Sequence, residues 1–168
     1  ETVQLYTLSA EHGNIFAAYR LGKLYLGGDG VLKDVESAIR WLTFAADRKN
    51  QVAEYALGVL YLKGENVPKD IPKALEYLKR SAGQGNQFSQ YALGKLYFYD
   101  GDVPRDKEKS LYWLGLSAAQ GNIYAQFLID NINAQRNPSV LLAATRLFRQ
   151  LENLFREDYR RNAGAADH

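Results

Sequence analysis

Residues 50–85 read NQVAEYALGVLYLKGENVPKDIPKALEYLKRSAGQG, and residues 86–121 repeat the pattern as NQFSQYALGKLYFYDGDVPRDKEKSLYWLGLSAAQG. The same period of 36 residues extends in both directions along the chain. It carries Asn at 14, 50, 86 and 122, Leu-Gly at 21–22, 57–58 and 93–94, Leu-Tyr at 24–25, 60–61 and 96–97, and an aromatic residue at 41, 77 and 113. A fixed period of this size, within about 20–50 residues, predicts a stack of repeated structural units.

Each unit contains two helical patterns. The first follows an Asn, a favoured N-cap residue, and extends for about 13 residues to Gly28, Gly64 or Asp100. The second follows an Asp, at 34, 70 and 106, which is also a favoured N-cap. Its apolar stripe in the first unit consists of Ala38, Trp41, Leu42 and Ala45. The sequence therefore predicts an all-α fold, an α/α solenoid of antiparallel helix pairs.

Three glycines lie inside the predicted first helices, at Gly22, Gly58 and Gly94. A glycine in a helix interior costs up to about 1 kcal/mol relative to alanine. A recurring cost of this kind needs a compensating contact, and the close approach of two helices is the natural one. We therefore expect the paired helices to contact each other at these glycines.

The period also defines the boundaries of the units. Residues 1–13 match only a second helix, residues 14–49, 50–85 and 86–121 are complete units, and residues 122–135 match only a first helix. Residues 136–161 depart from the period and are predicted to form a C-terminal capping helix, as a terminal repeat requires, followed by a tail at 162–168. Val140, Ala144, Leu147, Leu151 and Leu154 form the apolar seam of that helix. The chain begins at Glu1 and contains no Met, so we expect it to be a piece of a longer protein.

The composition argues against catalysis. The chain has no Cys, which excludes disulfides and thiolate chemistry, and its only histidines are His12 and His168. His12 stands where sister units have Gln, at a helix end, and His168 is in the tail. The Asp residues at 34, 70 and 106 recur in every unit, which indicates helix capping and not an acid–base pair. Gly28-Asp29-Gly30 lacks the Lys-Ser/Thr of a phosphate loop and is predicted to be a turn. We expect no enzyme activity, no metal and no cofactor.

The charge is balanced except near the C-terminus. Residues 1–135 have 15 basic and 15 acidic side chains, whereas residues 136–168 have six Arg against four acids, Glu152 among them. Arg146, Arg149, Arg156, Arg160 and Arg161 are interpreted as a solvated outer face of the capping helix, with docking to nucleic acid or an acidic partner as the alternative. No apolar run approaches the roughly 20 residues that span a bilayer. We expect no membrane association and a cytoplasmic location.

The repeat resembles a known family. The pattern Ala-x-x-x-Leu-Gly-x-x-Tyr-x-x-Gly, then Gly-Val-x-x-Asp, Ala-x-x-Trp and Ala-Ala, is similar to the Sel-one-like repeat (SLR), a relative of the tetratricopeptide repeat. In the first unit the matching residues are Ala17, Leu21, Gly22, Tyr25, Gly28, Gly30, Val31, Asp34, Ala38, Trp41, Ala45 and Ala46. Lys49 and Ser89 depart from it, standing where the pattern has Gly and Ala. The resemblance covers about residues 1–135 and implies a right-handed α/α superhelix that serves as an adaptor or scaffold.

A second resemblance concerns the C-terminal region. Residues 136–140, Arg-Asn-Pro-Ser-Val, and 144–147, Ala-Thr-Arg-Leu, are similar to the C-terminal region of relaxases, the mobilisation proteins of conjugative elements in Gram-positive bacteria. This resemblance covers some 25 residues and includes no chemical motif. It implies an alternative function, as a non-catalytic accessory region of a DNA relaxase.

A candidate binding surface lies on the side of the first helices opposite their predicted core face. Related solenoids expose that side on their concave surface, and here it is rich in Tyr and Phe, which are favoured binding anchors. We call the following fourteen residues the first-helix surface: Phe16, Tyr19, Lys23, Leu26, Val52, Tyr55, Val59, Leu62, Phe88, Tyr91, Lys95, Phe98, Tyr124 and Phe127. The alternative is that adjacent first helices cover these rings and make them part of the core. The leading hypothesis is a scaffold that holds a protein or peptide partner in the groove.

Overall fold

The computed structural model describes residues 2–134, 146–147 and 149–153. Residues 2–134 form eight helices, each packed against the helices before and after it in the chain. They are α1 (Thr2–Glu11), α2 (Ile15–Gly27), α3 (Val35–Asp47), α4 (Gln51–Lys63), α5 (Ile71–Gly83), α6 (Gln87–Leu96), α7 (Lys107–Ala119) and α8 (Ile123–Asn133). The predicted all-α solenoid of helix pairs is confirmed, with α2, α4, α6 and α8 as the first helices and α1, α3, α5 and α7 as the second helices.

Residues 146–147 and 149–153 are helical, within the segment predicted as a capping helix. The remainder of residues 136–161 and the tail at 162–168 lie outside the described residues. The same holds for residues 136–145, which carry most of the resemblance to relaxases.

Polar side chains cap the start of every complete helix, as predicted. The Asn14 carboxamide oxygen accepts a hydrogen bond from the Ala17 N–H at 2.8 Å, and Asn50, Asn86 and Asn122 act in the same way. The Asp34 carboxylate accepts one from the Ser37 N–H at 3.1 Å, with equivalent caps at Asp70 and Asp106. These bonds satisfy backbone donors that have no partner within the helix.

The loop inside each helix pair is closed by one recurring backbone bond. The N–H of the Asp that caps the second helix donates to the carbonyl of the Tyr nine residues earlier, at the end of the first helix. The three bonds are Asp34 to Tyr25 at 3.0 Å, Asp70 to Tyr61 at 3.0 Å and Asp106 to Tyr97 at 2.8 Å. The bond therefore fixes the start of the second helix at the same position along the axis of the first helix in every pair.

The predicted end of the third first helix is wrong. We expected α6 to continue to Asp100, but the helix ends at Leu96, and residues 97–99 form turns in which the Phe98 and Tyr99 N–H groups both donate to the Lys95 carbonyl. The first helices of the two preceding units, α2 and α4, close on a glycine in the left-handed region, Gly28 with φ 76° and Gly64 with φ 67°. Asp100 replaces that glycine, and the left-handed position passes to Gly101 with φ 74°. The shift of one residue distorts the last turn of the helix.

The interior glycines mark the closest approach within each pair. A Cβ atom added to Gly22 would lie 2.7 Å from the Leu42 Cγ, and one added to Gly58 would lie 2.7 Å from the Leu78 Cγ. Gly94 meets Leu114 in the same way. All three leucines are fully buried. The contact expected from the sequence is confirmed, since each glycine makes room for a leucine of the second helix.

A buried charged group connects the first two complete units. Glu54 on α4 is 1% exposed and receives hydrogen bonds from Arg80 Nε at 3.1 Å and from the Gln84 amide. Arg80 also donates to the Ala46 carbonyl at 2.9 Å, which belongs to the preceding unit. In the next unit the equivalent bond joins two neutral groups, since Gln120 donates to Gln90 at 2.8 Å. The bridge to residue 54 is therefore charged, whereas in the next unit Gln90 and Leu116 occupy the positions of Glu54 and Arg80 and only the amide pair remains.

Lys49 carries a backbone conformation that suits glycine. Its φ is 64°, whereas the equivalent positions in the following units are Gly85 and Gly121 with φ 96° and 91°. A side chain in the left-handed region costs roughly 1–2 kcal/mol of stability. Glycine avoids this cost but loses more conformational entropy on folding, which offsets part of the gain. We expect Lys49→Gly to raise the free energy of unfolding by about 0.5–1 kcal/mol in a urea titration. Gly85→Lys is the matched reverse change and should lower it by a similar amount, because no atom crowds that position. Equal stability of the wild type, Lys49→Gly and Gly85→Lys would contradict this expectation.

Candidate functional site

The first-helix surface lies on α2, α4, α6 and α8, with one exception. Phe98 follows the end of α6 and lies in the turn, because that helix ends early. Phe16 is 60% exposed and Lys23 is also exposed, whereas the other twelve residues are half-buried. The surface is therefore neither an open face of solvated rings nor a closed core, and each of the two interpretations from the sequence describes part of it.

The tyrosines of the first-helix surface pack against the hydrophobic core. Tyr19 packs against the core of the first units, Tyr55 against that of the middle unit, and Tyr91 against that of the last. Adjacent first helices also meet through their rings, since the centroids of Tyr55 and Phe88 are 6.0 Å apart. These contacts fix the rings while leaving them partly exposed.

Cations lie beside two rings of the first-helix surface. Arg20 stands 6.0 Å from the centroid of the Phe16 ring, and the Arg105 guanidinium lies 3.7 Å from the centroid of Phe98. Such cation–π contacts hold the rings in place and add positive charge at their edges. The chain itself already engages several members of the surface in polar, charged or ring interactions, namely Tyr19, Lys23, Tyr55, Phe88, Tyr91, Lys95 and Tyr124.

Lys95 is the centre of the most strongly charged part of the surface. Its Nζ lies 2.7 Å from a carboxylate oxygen of Glu152 and 3.7 Å from one of Asp100. The three side chains are between 21% and 27% exposed. Burial raises the pKa of Asp100 above its ordinary value, while Lys95 lowers it and Glu152 raises it further. Burial also raises the pKa of Tyr91, one helical turn before Lys95, and the carboxylates of Glu152 and Asp100 add to the effect.

Lys95 was among the predicted surface residues, but neither of its two carboxylate partners was. Asp100 could have been found, because it is acidic where the other two units have the closing glycine. Glu152 has no counterpart in the repeats and was counted only among the acids of an Arg-rich segment. No pattern in the sequence could have paired it with Lys95, 57 residues earlier.

The described part of the chain contains no group of three or more His, Cys, Asp or Glu side chains placed to hold a metal ion. His12 is exposed, and its Nδ1 lies 2.7 Å from the Leu8 carbonyl at the end of α1. Of the Arg residues near the C-terminus, Arg146 and Arg149 are exposed, and Arg156, Arg160 and Arg161 lie outside the described residues. The arrangement is suited to binding through apolar and charged contacts.

None of the helices searched, all in the described residues, is both long and apolar enough to cross a bilayer.

The sequence matches the Sel1 repeat family in three consecutive copies, at residues 15–50, 51–86 and 87–122. These copies agree with the units 14–49, 50–85 and 86–121 to within one residue. No curated protein matched the chain. Sel1 repeats generally form non-catalytic scaffolds for protein–protein interactions.

Solved structures with the same fold come from several bacteria. A protective antigen of uropathogenic Escherichia coli with an SLR fold is 31% identical with a TM-score of 0.74, over 80% of this chain and 29% of that protein. A Sel1 repeat protein from Oxalobacter formigenes is 32% identical with a TM-score of 0.68, over 76% of this chain and 96% of that protein. A putative Sel1 repeat protein from Klebsiella pneumoniae is 27% identical with a TM-score of 0.52, over 78% of this chain and 66% of that one. This chain thus spans less than a third of the Escherichia coli protein. With three registered repeats and these relatives, the chain belongs to the Sel1-repeat family.

Proposed function

We propose that this chain binds an extended or helical segment of a partner protein along the first-helix surface. The observation that carries the proposal is the burial of Tyr19, Tyr55 and Tyr91, which pack against the core and remain partly exposed to water. Rings that are already fixed lose little conformational entropy when a partner covers them. They are therefore efficient anchors for a second protein.

The spacing and charge of the surface indicate what the partner segment looks like. Equivalent residues recur on successive first helices, so an apolar side chain of the partner can meet the same type of ring in each unit. Lys23 and Lys95 occupy one position of the repeat, two units apart, and both are cationic. A segment with apolar residues and at least one carboxylate is the best complement to this arrangement.

Site-specific crosslinking tests the proposal. A photoreactive residue replaces Phe16 in one protein and Tyr112 in another, since both are about 60% exposed but Tyr112 lies on the second helix α7. In a lysate of the native host we expect a discrete partner to crosslink from position 16 and not from position 112. Peptide mapping of the crosslinked partner then supplies the segment for quantitative binding. A partner that crosslinks only from position 112 would place the binding site on the second helices and contradict the proposal.

The identified segment allows a direct measurement of the aromatic anchors. We expect Tyr55→Ala to weaken its binding by about thirtyfold, or 2 kcal/mol, because a central aromatic anchor is lost. Tyr112→Ala removes an exposed ring from the opposite helix and should leave the affinity unchanged. Circular dichroism and thermal unfolding establish that both variants are folded. Unchanged affinity in a folded Tyr55→Ala protein would exclude Tyr55 as an anchor.

The alternative function, an accessory region of a DNA relaxase, remains a prediction from residues 136–147. Only Arg146 and Leu147 of that stretch belong to the described residues, and both are exposed.

A further inference from the structure

The contact between Lys95 and Glu152 joins two parts of the chain that the repeat does not relate. Lys95 lies on α6, in the middle of the first-helix surface, whereas Glu152 lies in the helical stretch 149–153 beyond the last repeat. Their charged atoms are 2.7 Å apart, which is the distance of a direct charge-assisted hydrogen bond. The C-terminal segment therefore touches the surface to which we assign partner binding, and not only the end of the stack where a cap is expected.

The burial pattern of the segment indicates which of its residues face the repeats. Leu151 and Glu152 are half-buried, whereas Arg146, Arg149 and Asn153 are exposed. The Glu152 carboxylate contacts the surface at Lys95, the leucine next to it is partly covered, and the two arginines are exposed to solvent. A leucine beside a carboxylate is also the combination that complements a ring and a lysine.

The electrostatics around Lys95 agree with a specific contact. Lys95 already has a carboxylate nearby, Asp100 at 3.7 Å, yet Glu152 lies closer. Burial around Tyr91 raises the pKa of its phenol, and Glu152 is the charged group that raises it most in addition. The segment therefore affects both Tyr91 and Lys95, two members of the first-helix surface.

We propose that the helical residues 146–147 and 149–153 are an intramolecular occupant of the first-helix surface, held at Lys95 through Glu152, which a partner segment has to displace. The docking of the segment is a property of the chain alone. Only the displacement rests on the proposed function, so the two are tested separately.

The docking can be measured as a distance, because the chain contains no cysteine and two can be introduced for spin labels. Tyr112→Cys on α7 and Arg149→Cys on the segment are both exposed positions. In the protein labelled at these two positions we expect one narrow distribution of distances between the labels. Lys95→Glu places three carboxylates together and should broaden the distribution, with the docked fraction falling about tenfold or more. Adding Glu152→Lys restores opposite charges and should restore the narrow distribution.

Lys79→Glu is the matched control, since it makes the same charge reversal on an exposed position of α5 and should leave the distribution unchanged. Glu152→Gln keeps the experiment decisive if Lys95→Glu fails to fold, because residue 152 lies outside α1–α8. We expect it to broaden the distribution partially. A distribution that neither Lys95→Glu nor Glu152→Gln changes overturns the docking. A narrow distance that disappears on dilution with unlabelled protein also overturns it, because a second copy would then hold the segment.

The displacement is tested with the partner segment identified by crosslinking. Glu152→Gln weakens the internal occupant and leaves the first-helix surface intact, so the partner should bind severalfold more tightly. Equal or weaker binding would contradict displacement. The spin-label distances would still test the docking, and the effect of Tyr55→Ala on affinity would still test the proposed function.

Discussion

Replacing Arg80 by Met is expected to lower the free energy of unfolding by about 3 kcal/mol at neutral pH. The change removes the cation beside Glu54, whose carboxylate is buried on α4, and it also removes the hydrogen bond to the Ala46 carbonyl. Breaking a buried ion pair from one side costs roughly 3–5 kcal/mol, because the remaining charge has no compensation. We expect the lower end of that range, since the Arg80 side chain is itself 36% exposed. Urea denaturation followed by circular dichroism measures the loss.

The loss should depend on pH in a defined direction. Burial raises the pKa of Glu54 above its ordinary value of 4.5, and Arg80 opposes this rise. Without Arg80 the folded protein binds the Glu54 proton more tightly than the unfolded chain does, so ionisation favours unfolding as the pH rises above 4.5. The difference in stability between wild type and Arg80→Met should therefore be largest at neutral pH and should decrease on acidification to about pH 4.

A second substitution separates charge from packing. Adding Glu54→Gln to Arg80→Met replaces the carboxylate by an amide that still accepts from Gln84, as Gln90 accepts from Gln120 in the next unit. The double variant should recover at least half of the lost stability, and residue 54 should no longer contribute to the pH dependence of that stability between pH 4 and 7. A double variant no more stable than Arg80→Met would mean that packing of the arginine, and not the buried charge, dominates.

Gly58→Ala is expected to destabilise the protein by about 1–2 kcal/mol, although alanine is the better helix former. The added Cβ would lie 2.7 Å from the Leu78 Cγ and 3.3 Å from its backbone nitrogen, so the side chain cannot simply rotate away. Overpacking of this kind costs roughly 1–3 kcal/mol, against a gain of about 1 kcal/mol in helix propensity. A lower urea midpoint with an unchanged slope would show the effect.

Gly115→Ala is the matched control, because Gly115 also lies inside a helix, α7, but no atom lies within 4 Å of its added Cβ. Here only the propensity applies, and we expect stabilisation of up to about 1 kcal/mol. Opposite signs at the two glycines would establish close helix approach as the cause. Stabilisation by both substitutions would show that Leu78 can move aside and that the contact is not needed.

Features that recur with the period could be predicted from the sequence. The helix pairs, the Asn and Asp caps and the glycine–leucine contacts each appear in at least three copies, and three agreeing copies leave little room for another register. The end of α6 was predicted wrongly for the same reason. The expectation followed the pattern of Gly28 and Gly64, whereas the single change to Asp100 moved the left-handed residue to Gly101.

Features that occur once could not be predicted in this way. Glu54 stands where the neighbouring units have Ala18 and Gln90, and nothing in the period shows that its charge is buried and bridged by Arg80. The contact of Lys95 with Glu152 joins a repeat to a segment that has no period at all. The exposure of the first-helix rings also depends on how closely successive helices approach, which is a property of the assembled stack.

The backbone bond from the capping Asp to the first-helix Tyr has a consequence for how such a chain can change. Because Asp34 and Tyr25 are joined as Asp106 and Tyr97 are, the two helices keep their relative height even where the intervening loop differs. In the last pair the closing residue moved by one position, and the second helix still begins at its Asp. Loop residues between the two joined groups can therefore vary from copy to copy during evolution or design, while the stack keeps its register.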